Sequence, residues 1–248
     1  MKKVKQLLLV AVAMILVSAI SIAATFAYLY DDSETVRNAF AIGKIDISLD
    51  EAKVNINGQL LDVDDNVWTE ESGKAKADRV LENEYKLIPG RTYVKDPIVH
   101  VSDDSEPCYV FALIFLPNNI ENVIKYSSGL DDPESLEYQI FHNGWSSVGR
   151  QTVGTGKDGS EGVYKWFWYV GDGTYPVAVS KGAELPFFQS ITVKESATYD
   201  QLEKANNCKM EITAYAFQVE ETDTVYEEDI FDTFETVFDP YNLGASSN

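Results

Sequence analysis

The chain has 248 residues, 45% of them apolar and 12% aromatic, with a formal charge of −20 from 20 basic and 40 acidic side chains. That is enough apolar material to bury a full core in one large domain or two small ones, which argues against a globally disordered chain. So negative a surface repels nucleic-acid phosphates and anionic lipid, and it keeps an exported protein soluble.

Lys2, Lys3 and Lys5 precede an apolar run from Leu7 to Ala24, interrupted only by Ser18 and Ser21. A basic start, an apolar stretch and then small residues form the pattern of an export signal. Thr25 and Ala27 supply small residues at the two positions a signal peptidase reads, so cleavage is expected between Ala27 and Tyr28. Residues 1–27 are then a signal peptide that meets the membrane only in transit. The competing reading is a retained anchor, since the run is nearly long enough to span a bilayer. Without the three lysines the charge becomes −23.

After a polar stretch at residues 31–35, Phe40 and Ile42 alternate with small residues, and Ile45, Ile47 and Leu49 alternate with polar ones. The apolar parity switches across Gly43, which reads as a β-bulge. Asn57-Gly58 between apolar flanks predicts a hairpin. Residues 62–84 are mostly charged and read as a surface excursion with a short helix. Leu87-Ile88-Pro89-Gly90 is a turn, and Pro97 between two short extended runs suits a sheet edge.

Tyr109–Leu116 is continuously apolar, so a central strand covered on both faces is expected. Tyr164–Val170 carries aromatics on both parities and reads the same way. Phe187–Val193 and Met210–Val219 complete the strong strands, with a short helix between them over 196–206. Ile230, Phe231, Phe234, Val237 and Phe238 recur at helical spacing among acidic residues, followed by Pro240 and Gly244. That predicts an amphipathic helix docked on the body of the protein. Many strands separated by turns, with helices only as short peripheral elements, predict an all-β fold: a two-sheet antiparallel, jelly-roll-like sandwich over residues 28–248 as a single domain.

A search for chemistry returns little. His100 and His142 belong to no metalloprotease helix. Gly154 to Gly159 spells a dinucleotide-binding string but lacks the strand–helix frame that gives it meaning. Gly144 to Gly149 is one residue too long for a nucleophile elbow. Asp62, Asp64 and Asn66 copy the first ligands of a calcium loop, yet the sixth position is Val67 and the twelfth Gly73. No catalytic set, metal or cofactor is expected. Cys108 and Cys208 are either bonded across a long loop or two free thiols in strand-like runs, and an exported chain permits both.

Ala24-Thr25-Phe26-Ala27-Tyr28-Leu29-Tyr30-Asp31-Asp32-Ser33-Glu34-Thr35 resembles the leader region of exported proteins with a SipW-dependent signal peptide, the TasA- and camelysin-like family. Residues 38–49 are similar to the family's first mature strand, residues 87–97 to its Pro-Gly turn, and residues 212–218 to its closing strand. The resemblance implies a jelly-roll subunit of surface or biofilm-matrix fibres in Gram-positive bacteria. Such a subunit would be secreted, non-catalytic and joined head to tail with itself or related matrix subunits by N-terminal donor-strand exchange. The alternatives are a camelysin-like surface metalloprotease and a monomeric surface adhesin. Residues 28–36 are either the donor strand or a plain mature terminus.

Overall fold

A computed structural model describes residues 44–127 and 131–218. The expected cleavage residues Thr25, Ala27 and Tyr28, the Gly43 bulge and the C-terminal helix lie outside the described residues. The rest is an antiparallel sandwich of two layers.

The first layer is a four-stranded sheet in the order β5–β6–β4–β9, formed by β4 (Cys108–Pro117), β5 (Trp145–Thr155), β6 (Glu161–Tyr169) and β9 (Glu211–Gln218). The continuous apolar runs become β4 and β6, the two inner strands, as a chain buried on both faces requires. Cross-strand rows follow from the register: Trp168, Phe111 and Tyr215 align on one face, and Phe167, Ala112 and Ala214 on the other.

The second layer combines β1 (Ile47–Asp50), β3 (Ile98–Val101) and β7 (Glu184–Pro186) with the pair β2 (Thr92–Val94) and β8 (Ser190–Thr192). These two small sheets are one ribbon with a break. Lys95 N–H donates to Gln189 O at 3.2 Å, and Phe187 N–H donates to Pro97 O at 2.8 Å, so pairing resumes across the interruption. Pro97 therefore lies inside this layer, just before its middle strand β3, and not on an edge strand. Its missing N–H is tolerated because it falls in the break between β2 and β3.

The expected strand over Phe187–Val193 is likewise corrected. It is split between β7 and β8, where Phe187 still pairs through its N–H with Pro97 O and both Phe187 and Phe188 are fully buried core residues. Side chains from α2 (Leu136–His142) and its C-terminal flank take over the backbone there. Gln139 Oε1 accepts from Gln189 N–H and Ser190 N–H, both at 3.0 Å, and Asn143 Nδ2 donates to Phe187 O at 3.2 Å.

The helices are short. α1 (Asn118–Val123) continues directly from β4 and buries Ile120 and Val123. α2 begins at Ser135, whose side chain accepts from Tyr138 N–H. α3 (Tyr199–Ala205) starts at Thr198 with a reciprocal capping box to Gln201, within the helix read at 196–206. The excursion at 62–84 holds only a 3-10 turn, Glu70–Ser72, in place of the expected short helix. No helix among the described residues is long and apolar enough to cross a membrane.

The predicted hairpin forms at Asn57-Gly58, with Val54 bridged to Leu60. Gly58 has φ +71°, and a Cβ there would lie 2.6 Å from the ring of Tyr93. Only glycine satisfies both the left-handed backbone and that close approach. Tyr93 in turn donates its hydroxyl to Lys86 O at 2.5 Å and accepts from Ile88 N–H at 2.8 Å, closing the 87–90 turn.

Candidate functional site: sheet edges and two buried faces

The sequence singled out five features among the described residues, and the structure keeps them apart. Cys108 opens β4, whereas Cys208 lies beside Asn119, just past the other end of the same strand, with Asn119 Nδ2 3.8 Å from its sulfur. A ten-residue strand spans about 30 Å, far beyond the reach of a disulfide. Both cysteines are free, and a bond between Cys108 and Cys208 is incompatible with this fold. Burial pushes the Cys108 thiol up to about 11, so it is an inert core group.

His100 in β3 is half-buried between Asp50 Oδ1 at 2.9 Å and Glu184 Oε1 at 3.6 Å. His142, at the end of α2, donates from Nδ1 to Tyr138 O at 2.9 Å and stacks on the Tyr138 ring at 3.7 Å between centroids. The two imidazoles sit on different elements. No group of three or more His, Cys, Asp or Glu side chains among the described residues is arranged to hold a metal.

The calcium-like string is a self-capped turn. Asp62 is buried, and its Oδ1 accepts from the backbone N–H of Asp64 and of Asn66, each at 2.9 Å. The Asn66 N–H bond, opposed by burial and aided by the Asp64 N–H and Lys74, holds its carboxyl below the usual range. Lys74 Nζ lies 2.7 Å from Asp64 and 3.5 Å from Asp62, supplying the positive charge itself.

The Gly154–Gly159 string is the tip of the β5–β6 hairpin. Its donors are used internally, with Gly156 N–H bonded to Ser160 O at 2.9 Å and Lys157 N–H to Glu211 Oε1 at 2.9 Å. Nothing there cradles a phosphate. Gly144 and Gly149 flank the start of β5, and the register shifts between Ser147 and Gln151, so that string is strand plus bulge.

One polar cluster escaped the sequence reading. Arg79 binds the Asp50 carboxylate through Nε, and it reaches Asp96 Oδ2 at 3.1 Å and Asp96 O at 2.7 Å. Beside it, Lys95 pairs with buried Glu51 at 2.6 Å, and Asn83 donates to Glu51 Oε1 at 2.9 Å. Opposite charges and satisfied donors make this a clamp that pins the excursion to the second layer. Only its isolated Asp and Glu letters were visible in the sequence.

Two larger surfaces stand out. Among the described residues β5 and β9 are the edges of the four-stranded sheet, and β1 and β7 those of the three-stranded one. The sheet also has two distinct apolar faces. The inner one joins Val110, Ala112, Ile114 and Phe167 to Ile47, Val99 and Leu185 of the second layer. The outer one is a separate layer of nine residues built on Phe111, Leu113, Phe115, Trp166 and Trp168.

Comparison with family models, with curated proteins and with solved structures gives no match for this chain.

Proposed function

We propose that the chain is an exported structural protein of the cell surface or extracellular matrix, and that its mature copies join head to tail. In this reading residues 28–36, freed by cleavage before Tyr28, add as a strand to a sheet edge of the next copy. The observation that carries it is β9, an eight-residue edge strand with no described strand beyond it. An edge offers a row of backbone donors and acceptors that an extended segment can pair, and a dry sandwich behind it holds that row rigid. The polar, acidic start of the mature chain keeps the donor soluble before it finds an acceptor.

The test is the mass and association state of the exported protein. The reading expects a chain beginning at Tyr28 that sediments as a concentration-dependent series of oligomers. A chain beginning at Met1 and retained in the membrane contradicts it. Tightly held zinc with chelator-sensitive casein cleavage would instead identify a surface protease, and a monomer at every concentration an adhesin.

A further inference from the structure

The outer face of the four-stranded sheet presents an unexplained burial. Phe111, Phe115, Trp166, Trp168, Tyr215 and Phe217 are between 1% and 8% exposed. Yet the described hydrophobic residues packed against this layer are only Tyr109 and Val148. Side chains standing up from a single sheet bury one another's flanks but not their own outer ends. A layer this deeply buried therefore has a cover.

We propose that the cover is the chain's own C-terminal segment, residues 226–239, docked in cis across this aromatic face. Four observations favour that occupant. β9 is a strand of this same sheet and Phe217 belongs to the layer, so the chain leaves Gln218 at the border of the face. The other outside segment, ending at residue 43, enters through Ile45 and Ile47, which point into the opposite, inner core.

The pattern of the segment fits the task. Tyr226, Ile230, Phe231, Phe234, Val237 and Phe238 share one helical face, interrupted only by Glu227 in the first turn, whereas Glu228, Asp229, Asp232, Glu235 and Asp239 occupy the rest. From residue 219 to the end the chain has nine acidic and no basic residues, so its charged side has to stay in water. The dimensions also agree. Helix over 226–239 is about 20 Å long, and the layer from Tyr109 to Phe115 runs about 20 Å along β4. Residues 219–225 can stretch to about 24 Å, enough to turn over the sheet.

This cover is independent of how copies join, since it occupies a sheet face and not an edge. Uncovered, the layer would be an apolar patch of the size that marks an association surface.

The experiment uses the mature chain carrying Trp68→Phe, which leaves the two outer tryptophans and fully buried Trp145 as reporters. Phe231→Asp with Phe234→Asp should raise acrylamide quenching several-fold while the far-ultraviolet spectrum stays that of a β protein. Unchanged quenching in a folded double variant overturns the proposal. A second arm avoids any folding defect by placing benzoylphenylalanine at position 231. Ultraviolet adducts should then map, within one chain, to 109–115, 164–170 or 211–217. Adducts elsewhere, or only between differently labelled copies, overturn it. So does protection of the same tryptophans that is lost on deleting residues 28–43 instead.

Discussion

Trp145, at the start of β5, donates its indole N–H to the carbonyl of Pro186 in β7 at 2.9 Å and so ties one layer of the sandwich to the other. The ring is 1% exposed and packs edge-on against Phe187 at 5.1 Å. Trp145→Phe removes the donor, leaves the Pro186 carbonyl without it and opens a small void. Loss of about 2–4 kcal/mol of unfolding free energy is expected, combining an unmade buried bond with a cavity. Urea unfolding followed by circular dichroism reads it, and an unchanged midpoint would show that the layers do not depend on this bond.

Gly58→Ala should also destabilise the fold, for a different reason. The new methyl group meets Tyr93 on a backbone already at φ +71°. A cost of about 2–3 kcal/mol follows from left-handed strain plus overpacking. Tyr93→Phe should not rescue it, because the ring and not the hydroxyl blocks the space. A Gly58→Ala protein of normal stability would mean that the hairpin is free to move away.

How much of this was legible in the sequence differs from element to element. β4 and β6 were readable because a run with apolar residues on both parities has only one home in a sandwich, an inner strand. The Asn57-Gly58 hairpin was readable because its turn chemistry is local. The break at Phe187–Gln189 was not, since its cause lies 41 to 50 positions away in Gln139, Asn143 and Trp145. α1 was invisible because Ile120 and Val123 are too few to set a period within six residues. The separation of Cys108 from Cys208 depends on β4 and β9 running antiparallel for their full length, a tertiary fact. Among the polar groups, the Arg79 clamp was not readable, because Asp50, Arg79 and Asp96 meet only through the tertiary fold.

The Arg79 clamp has a local consequence. Arg79→Ala removes the guanidinium that Asp50 and Asp96 share, leaving only His100 on Asp50 and the Ala52 N–H on Asp96. The excursion over residues 62–84 should detach while the sandwich persists. Limited proteolysis should gain cuts in that span, with little change in the unfolding midpoint of the remainder. Full resistance would show that the bonds of Val80 and Asn83 to Glu51 hold the excursion without Arg79.

Alkaline pH should weaken the fold in a defined window. Burial raises the Cys108 thiol from 9.0 to about 11. Burial, reinforced by acidic neighbours, likewise raises the phenols of Tyr85 and Tyr126 above their ordinary 10.0. Each group ionises first in the unfolded chain. Stability is therefore full below about pH 9 and falls as the thiol window from 9 to 11 is crossed, with the phenols adding their share above pH 10. Urea midpoints at pH 8, 9.5 and 10.5 measure the slope, and Cys108→Ala should flatten its first part. A midpoint independent of pH over that range contradicts the burial of these groups.

The proposal that mature copies join through their freed N-terminus is tested most directly by negative-stain electron microscopy of the chain starting at Tyr28, beside one lacking residues 28–36. Filaments from the first and folded, dispersed monomers from the second are the predicted result. Filaments from both, or from neither, would contradict it.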